Sequence, residues 1–291
     1  MKVAAFRQAG ERRVGVVSRD GRMIAPFALT MDEASQGIAG LIGRDAAGIG
    51  TLSPVALDEV ELEAPLPRPA RNIFCVGKNY HAHAREFARS GFDSSAAQGE
   101  VPPYPIIFSK VPESVVASGA DVVIDPTVST AVDYEAELAV IIGRGGRNIQ
   151  PADAMAHVWG YTIVNDVTAR DLQGRYSQWL IGKSQDTFCP MGPFAVTADD
   201  IDLGDTAVRC FVNGELRQDA NTRALIFDVP TIIATLSAGI TLMPGDVIAT
   251  GTPAGVGIGF SPPKYLRGGD LVRVEIGGIG ALENRLVERR P

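Results

Sequence analysis

Only three cysteines, Cys75, Cys189 and Cys210, occur in this chain of 291 residues. Their odd number, wide spacing and lack of a CxxC pair argue against a disulfide framework or a structural zinc site. They read as small buried apolar side chains in a reducing, cytoplasmic setting. Clustered positive charge is also missing: 27 Lys and Arg stand against 34 Asp and Glu, giving a net charge of −7. Without a basic stripe to neutralise phosphates, nucleic acid is not an expected partner. Long apolar runs are absent. The opening MKVAAFRQAGERR puts Arg and Glu where a secretory leader needs apolar residues, and Pro244 breaks the most apolar later segment. Neither export nor membrane spanning is expected. No fixed-period repeat and no regular strand–helix alternation is visible, which disfavours a doubly wound sheet or an eight-fold barrel.

What is present suits a globular protein: 45% hydrophobic and 21% charged residues can bury one large core with a smaller module beside it. Short strands are expected at 2–8, 13–18 and 23–26. Thr30 followed by Glu33 makes a capping-box pattern for a short helix running to about Leu41. Pro65, Pro67 and Pro69 interrupt backbone pairing and mark a linker, so a small N-terminal module over 1–70 is expected before a main domain over 71–291. In that domain apolar, β-branched runs predict strands at 72–76, 106–109, 132–142, 158–165, 208–213, 247–250 and 271–276. Asn213-Gly214 between alternating segments signals a hairpin. Helices are expected at 80–90, at 152–157, as a turn after Asp166, and at 229–238 with Asp228 as cap and Pro230 in the first turn. The fold class is therefore α+β and sheet-rich.

The most informative run is Val132-Asp133-Tyr134-Glu135-Ala136-Glu137-Leu138-Ala139-Val140-Ile141-Ile142. With a period of two, Asp133, Glu135 and Glu137 share one face of a strand, and the other face is apolar. Burying like charges together costs several kcal/mol per ion unless a cation joins them. Carboxylate oxygens suit a hard ion; Mg2+ or Mn2+ is expected, and the same ligands admit Ca2+. An acidic face turned to water is the alternative. Asp166, at the end of the apolar run 158–165, is a third candidate ligand or else an ordinary helix N-cap.

Four segments in order, DYEAELAV, VNDVTARDLQ, GKSQDTFCPMGP, and FVNGELRQ leading to MPGDVIATGTPAGVG, resemble the fumarylacetoacetate hydrolase family over about residues 71 to 286. The resemblance implies a mixed β-sandwich roll, usually homodimeric. It implies metal ligands at Glu135, Glu137 and Asp166, with Asp133 supporting them. It also implies contacts to substrate from Arg170, Gln173, Lys183 and Thr252. Three carboxylates leave an octahedral ion about three open positions, enough for a chelating 2-oxo or 1,3-dioxo acid and a water. Such an ion withdraws electrons from the carbonyl.

His83 and Glu86, spaced i and i+3 in an expected helix, fall on one face, where the carboxylate can orient the imidazole. A surface ion pair is the alternative; the resemblance places a His/Glu dyad on a lid helix after an NY motif, and 91–105 suits a moving element. His81 and His157 carry no assigned role. Lys183, after Gly182 in an expected loop, offers a cation to a substrate carboxylate or a developing oxyanion. The run 251–257 lacks the Gly-Lys-Ser/Thr ending of a phosphate loop; its glycines and Thr252 are expected to let backbone approach a small ligand. Hydrolysis of a C–C bond in an acylpyruvate is the first expectation. Decarboxylation of oxaloacetate, or isomerase or hydratase chemistry, follows, and a non-catalytic metal- or ligand-binding protein is the contrasting reading.

Overall fold

The computed structural model describes residues 1–89 and 101–289. Two sheets dominate. The larger has eleven strands; from Lys2–Gln8 to its edge it runs Ala195–Thr197, Val158–Asn165, Ala136–Ile142, Val247–Ala249, Ile73–Gly77 and finally Ile106–Lys110, side by side. A five-stranded sheet runs Glu215–Asn221, Ala207–Val212, Leu271–Ile276, Gly280–Glu288 and Val122–Ile124. Leu138, Val140, Ile142, Tyr161 and Ile163 from the first pack with Val208, Cys210, Val212, Val272, Val274 and Leu282 from the second in one buried cluster. That packing is a β-sandwich. No helix among the described residues is long and apolar enough to cross a membrane.

The strands before residue 70 extend the larger sheet. Lys2 and Val3 pair with Val196 and Ala195, so the prolines at 65, 67 and 69 interrupt the chain path without ending the sheet.

Local signals act where the sequence places them. Thr30 and Glu33 form a reciprocal capping box, but the α-helix stops at Ser35. A 3-10 segment carries the chain on to Leu41, because Gly37 takes a positive φ of 64° that helical geometry does not allow. Residues 151–157 are likewise 3-10 rather than α-helical. Asp228 caps Val229–Ser237 by accepting from Thr231 N, and Asn213-Gly214 closes the hairpin between Ala207–Val212 and Glu215–Asn221. The helix His81–Arg89 occupies the expected place. Ser90, with most of the stretch 91–105, lies outside the described residues.

The expected single strand over 132–142 is corrected. It is two strands, Val132–Asp133 and Ala136–Ile142, with Tyr134 and Glu135 between them. The first pairs with Thr168–Ala169 and the second with Val158–Asn165. Ala136–Ile142 is buried along its whole length, since its other face, with Ala139 and Ile141, packs into a second apolar cluster.

Candidate active site

The break at Tyr134 and Glu135 sends neighbouring carboxylates in different directions. Asp133 turns away and becomes a clamp. Its Oδ1 accepts from Gly257 N at 2.7 Å and Tyr134 N at 2.9 Å, and its Oδ2 accepts from Ile258 N at 3.0 Å and Arg170 Nε at 2.9 Å. Glu135 and Glu137 stay together. Antiparallel pairing of Ala136 with Asn165, and donation from Asp166 N to Glu135 O at 2.9 Å, bring Asp166 beside them. One oxygen from each of Glu135, Glu137 and Asp166 lies within 4.8 Å of the others, and all three residues are buried.

Cations and backbone donors hold this cluster. Lys183 Nζ donates to Glu135 Oε2 at 2.8 Å and to Asp166 Oδ2 at 2.7 Å. Arg170 Nη1 pairs with Glu135 Oε1 at 2.6 Å, and Gly251 N donates to Glu137 Oε2 at 2.8 Å. Lys110, absent from the sequence-based candidates, donates to Asp166 Oδ1 at 2.7 Å, to Val167 O at 3.1 Å and also to Lys183 O. It is fully buried. Burial by itself would raise the Glu135 carboxyl, yet Lys183 and Arg170 hold it down at about 2. Glu137 goes the other way: burial, then the charges of Asp166 and Glu135, push it well above the usual carboxylate range. A group so placed loses its proton readily only when a cation arrives. Three converging carboxylates with no nitrogen or sulfur donor among them fit a hard divalent ion.

The helix His81–Arg89 sits over this cluster because Asn79, just before it, donates to Thr250 O at 2.8 Å and Phe227 O at 3.0 Å. His83 Nδ1 lies 3.1 Å from Glu86 Oε2. One pocket is lined by His83, Glu135, Arg170, Gln173, Lys183 and Thr252, with Phe87, Phe108 and Trp179 among its walls. Arg170 Nη1 also donates to Gln173 Oε1 at 3.1 Å, while Nη2 is buried with no hydrogen-bond partner among the described residues. Lys183 belongs to a helical turn, Leu180–Lys183, rather than the expected loop.

Thr252 borders the pocket, but its hydroxyl is already engaged. It donates to Ala136 O at 3.1 Å and accepts from Gln218 Nε2 at 2.8 Å. Gln218, fully buried, also accepts from Ala136 N at 3.0 Å, so it fastens the glycine-rich loop to the carboxylate strand. Gln218 stands inside the FVNGELRQ segment, yet nothing in a lone Gln on a strand marks it as a loop anchor. His81 is exposed, and His157 Nδ1 lies 2.7 Å from Arg144 O, away from the site. All three cysteines are buried and free, and burial pushes the Cys189 thiol up to about 12.

A buried cluster of three carboxylates that could hold a divalent ion, beside a His–Glu pair on a β-sandwich, fits the class of enzymes that work through such a metal. Residues 72–287 match the family model described as fumarylacetoacetate (FAA) hydrolase C-terminal. The chain belongs to that family. Over 232 residues it is 49% identical to oxaloacetate tautomerase YisK of Bacillus subtilis, covering 79% of this chain and 74% of that protein. Over 255 residues it is 44% identical to the human mitochondrial oxaloacetate tautomerase FAHD2A, covering 87% and 77%. A solved fumarylacetoacetate hydrolase from Exiguobacterium antarcticum superposes with a TM-score of 0.82 at 42% identity, over 99% of this chain and 100% of that one. A 5-carboxymethyl-2-hydroxymuconate delta-isomerase from Mycobacterium smegmatis gives 0.80 at 32% identity, over 99% and 100%.

Proposed function

We propose that this protein interconverts the keto and enol forms of a small 2-oxo acid of the oxaloacetate type. The observation that carries the reading is that His83 faces the same pocket as Glu135, Arg170, Gln173 and Lys183. Glu135, Glu137 and Asp166 would hold Mg2+ or Mn2+. Once bound there, the ion supplies Lewis-acid polarisation of the 2-oxo carbonyl and lowers the cost of an enolate.

The protein's own groups supply the proton traffic. In the tautomer that donates Nδ1–H to Glu86 Oε2, 3.1 Å away, His83 has a free lone pair on Nε2 and would serve as the base for a C3 proton. The same nitrogen, once protonated, returns the proton to oxygen or to carbon. Arg170 Nη2 is a buried donor without a partner among the described residues, which suits a substrate carboxylate. Lys183 and Arg170 keep Glu135 ionised, and the aromatic wall of Phe87, Phe108 and Trp179 limits access of water. Proton transfer alone then completes a turnover, with no carbon–carbon bond broken.

Acylpyruvate hydrolysis stays as a second reading, favoured by the likeness to the solved fumarylacetoacetate hydrolase. It uses the same residues, with His83 acting on water. Metal-stripped protein given Mg2+ or Mn2+ and offered oxaloacetate, acetylpyruvate and fumarylpyruvate separates the two. Metal-dependent loss of the enol absorbance of oxaloacetate, without release of carbon dioxide or pyruvate, supports tautomerisation. Cleavage of an acylpyruvate at a higher kcat/KM moves the assignment to hydrolase, and release of pyruvate from oxaloacetate moves it to decarboxylase.

A further inference from the structure

The two oxygens of Glu86 have separate partners. Oε2 faces His83 Nδ1, and Oε1 accepts from Gly255 N at 3.0 Å. Around Oε1 the loop 255–259 leaves a space shaped for a carboxylate. A Cβ built on Gly259 would overlap Glu86 Oε1 and Cδ, and even Cγ would be only 2.6 Å away. Gly259 has no positive φ, so its backbone would accept any residue; what a side chain there would displace is Glu86. Gly255 differs, with a φ of 102° that demands glycine.

The loop is held from the side of the carboxylate cluster. Gly255 O accepts from Tyr134 Oη at 2.8 Å, and the N–H groups of Gly257 and Ile258 donate to Asp133. Asp133 in turn accepts from Arg170, the residue that pairs with Glu135. A continuous set of contacts therefore runs from Glu135 through Arg170, Asp133 and the loop to Glu86. We infer that the turn Gly255–Gly259 is the seat that fixes Glu86, and through it the orientation of His83, relative to the carboxylate cluster. Gly259 is thereby a positioning residue whose contribution is empty space. This rests on the reading of His83 and Glu86 as the acid–base pair.

A cycle of Gly259→Ala, Glu86→Ala and the double variant tests it, with kcat, KM and Mg2+ or Mn2+ binding measured for each. Gly259→Ala is expected to lower kcat by about 10- to 100-fold, as an approximately 1 Å displacement of a reacting group does. KM and metal affinity should stay near wild type. In the Glu86→Ala background the same change should have no effect, because no carboxylate is left to displace. Wild-type kcat in Gly259→Ala overturns the inference, as does an equal loss in both backgrounds, which would mean a disturbed loop acting independently of Glu86. Full activity of Glu86→Ala would instead sink the dyad reading beneath it.

Discussion

The Lys110 ammonium donates to Asp166 Oδ1 at 2.7 Å, with both side chains wholly removed from water. Lys110 does not line the pocket. It works from behind, joining a candidate ligand to the backbone of Lys183, so that the ammonium of Lys183 and the carboxylate of Asp166 are set by one buried charge.

Replacing Lys110 with Met should therefore weaken Mg2+ or Mn2+ binding by about 10- to 100-fold, the range found for groups that orient a ligand from outside. Calorimetric titration of metal into the stripped protein measures this. Unchanged affinity would assign Lys110 to folding alone.

The pH dependence of the metal-free protein should combine two opposite contributions. Glu135, held down at about 2, stabilises the fold fully above its ordinary value near 4.5, and that contribution fades as the pH falls toward 2. Glu137, pushed up by burial, has the reverse sign: its contribution is complete below the ordinary value and is lost as the pH rises through its shifted one. Melting temperature against pH, with chelator and with Mg2+ or Mn2+, should show metal stabilisation growing as the pH rises. Stabilisation that shrinks with rising pH would contradict the assignment of Glu137.

His83→Ala should leave metal binding intact and lower kcat by about 100- to 10,000-fold, the span of general acid–base catalysis. Exchange of the C3 protons of oxaloacetate with deuterium, followed by NMR, reports the same step directly. Exchange at the wild-type rate would remove His83 from the mechanism.

Thr252→Val should act mainly on stability. The hydroxyl it removes is bonded on both sides within the protein, and loss of a buried polar partner costs about 1–3 kcal/mol. Denaturant melts should show that cost with KM little changed; a large rise in KM would instead support Thr252 as a substrate contact.

Much of the site was legible because local rules reach far in a strand-rich chain. The acidic spacing at 133, 135 and 137, the Asp at the end of an apolar strand, and a His and Glu one helical turn apart are all short-range patterns. The structure brings Glu135, Glu137 and Asp166 into one cluster and His83 to the pocket that Glu135 lines. The period-two reading failed at Asp133, because Tyr134 and Glu135 leave the ladder and the chain changes pairing partner. A change of partner is a long-range event with no sequence marker of its own. Lys110 and Gln218 were not visible for a similar reason: a Lys or Gln on a strand looks the same whether it meets water or a buried carboxylate.

The sequence by itself determined the strand-rich class, the caps and hairpin, and the residue types able to hold a hard cation, since these follow from side-chain chemistry and backbone periodicity. Tertiary structure alone decided which carboxylates converge, which cations neutralise them, and that an exposed glycine leaves room for Glu86. Those outcomes depend on packing between segments as much as 173 residues apart, as Glu86 and Gly259 are, and on burial, which turns ordinary charges into partners that cannot be left unpaired.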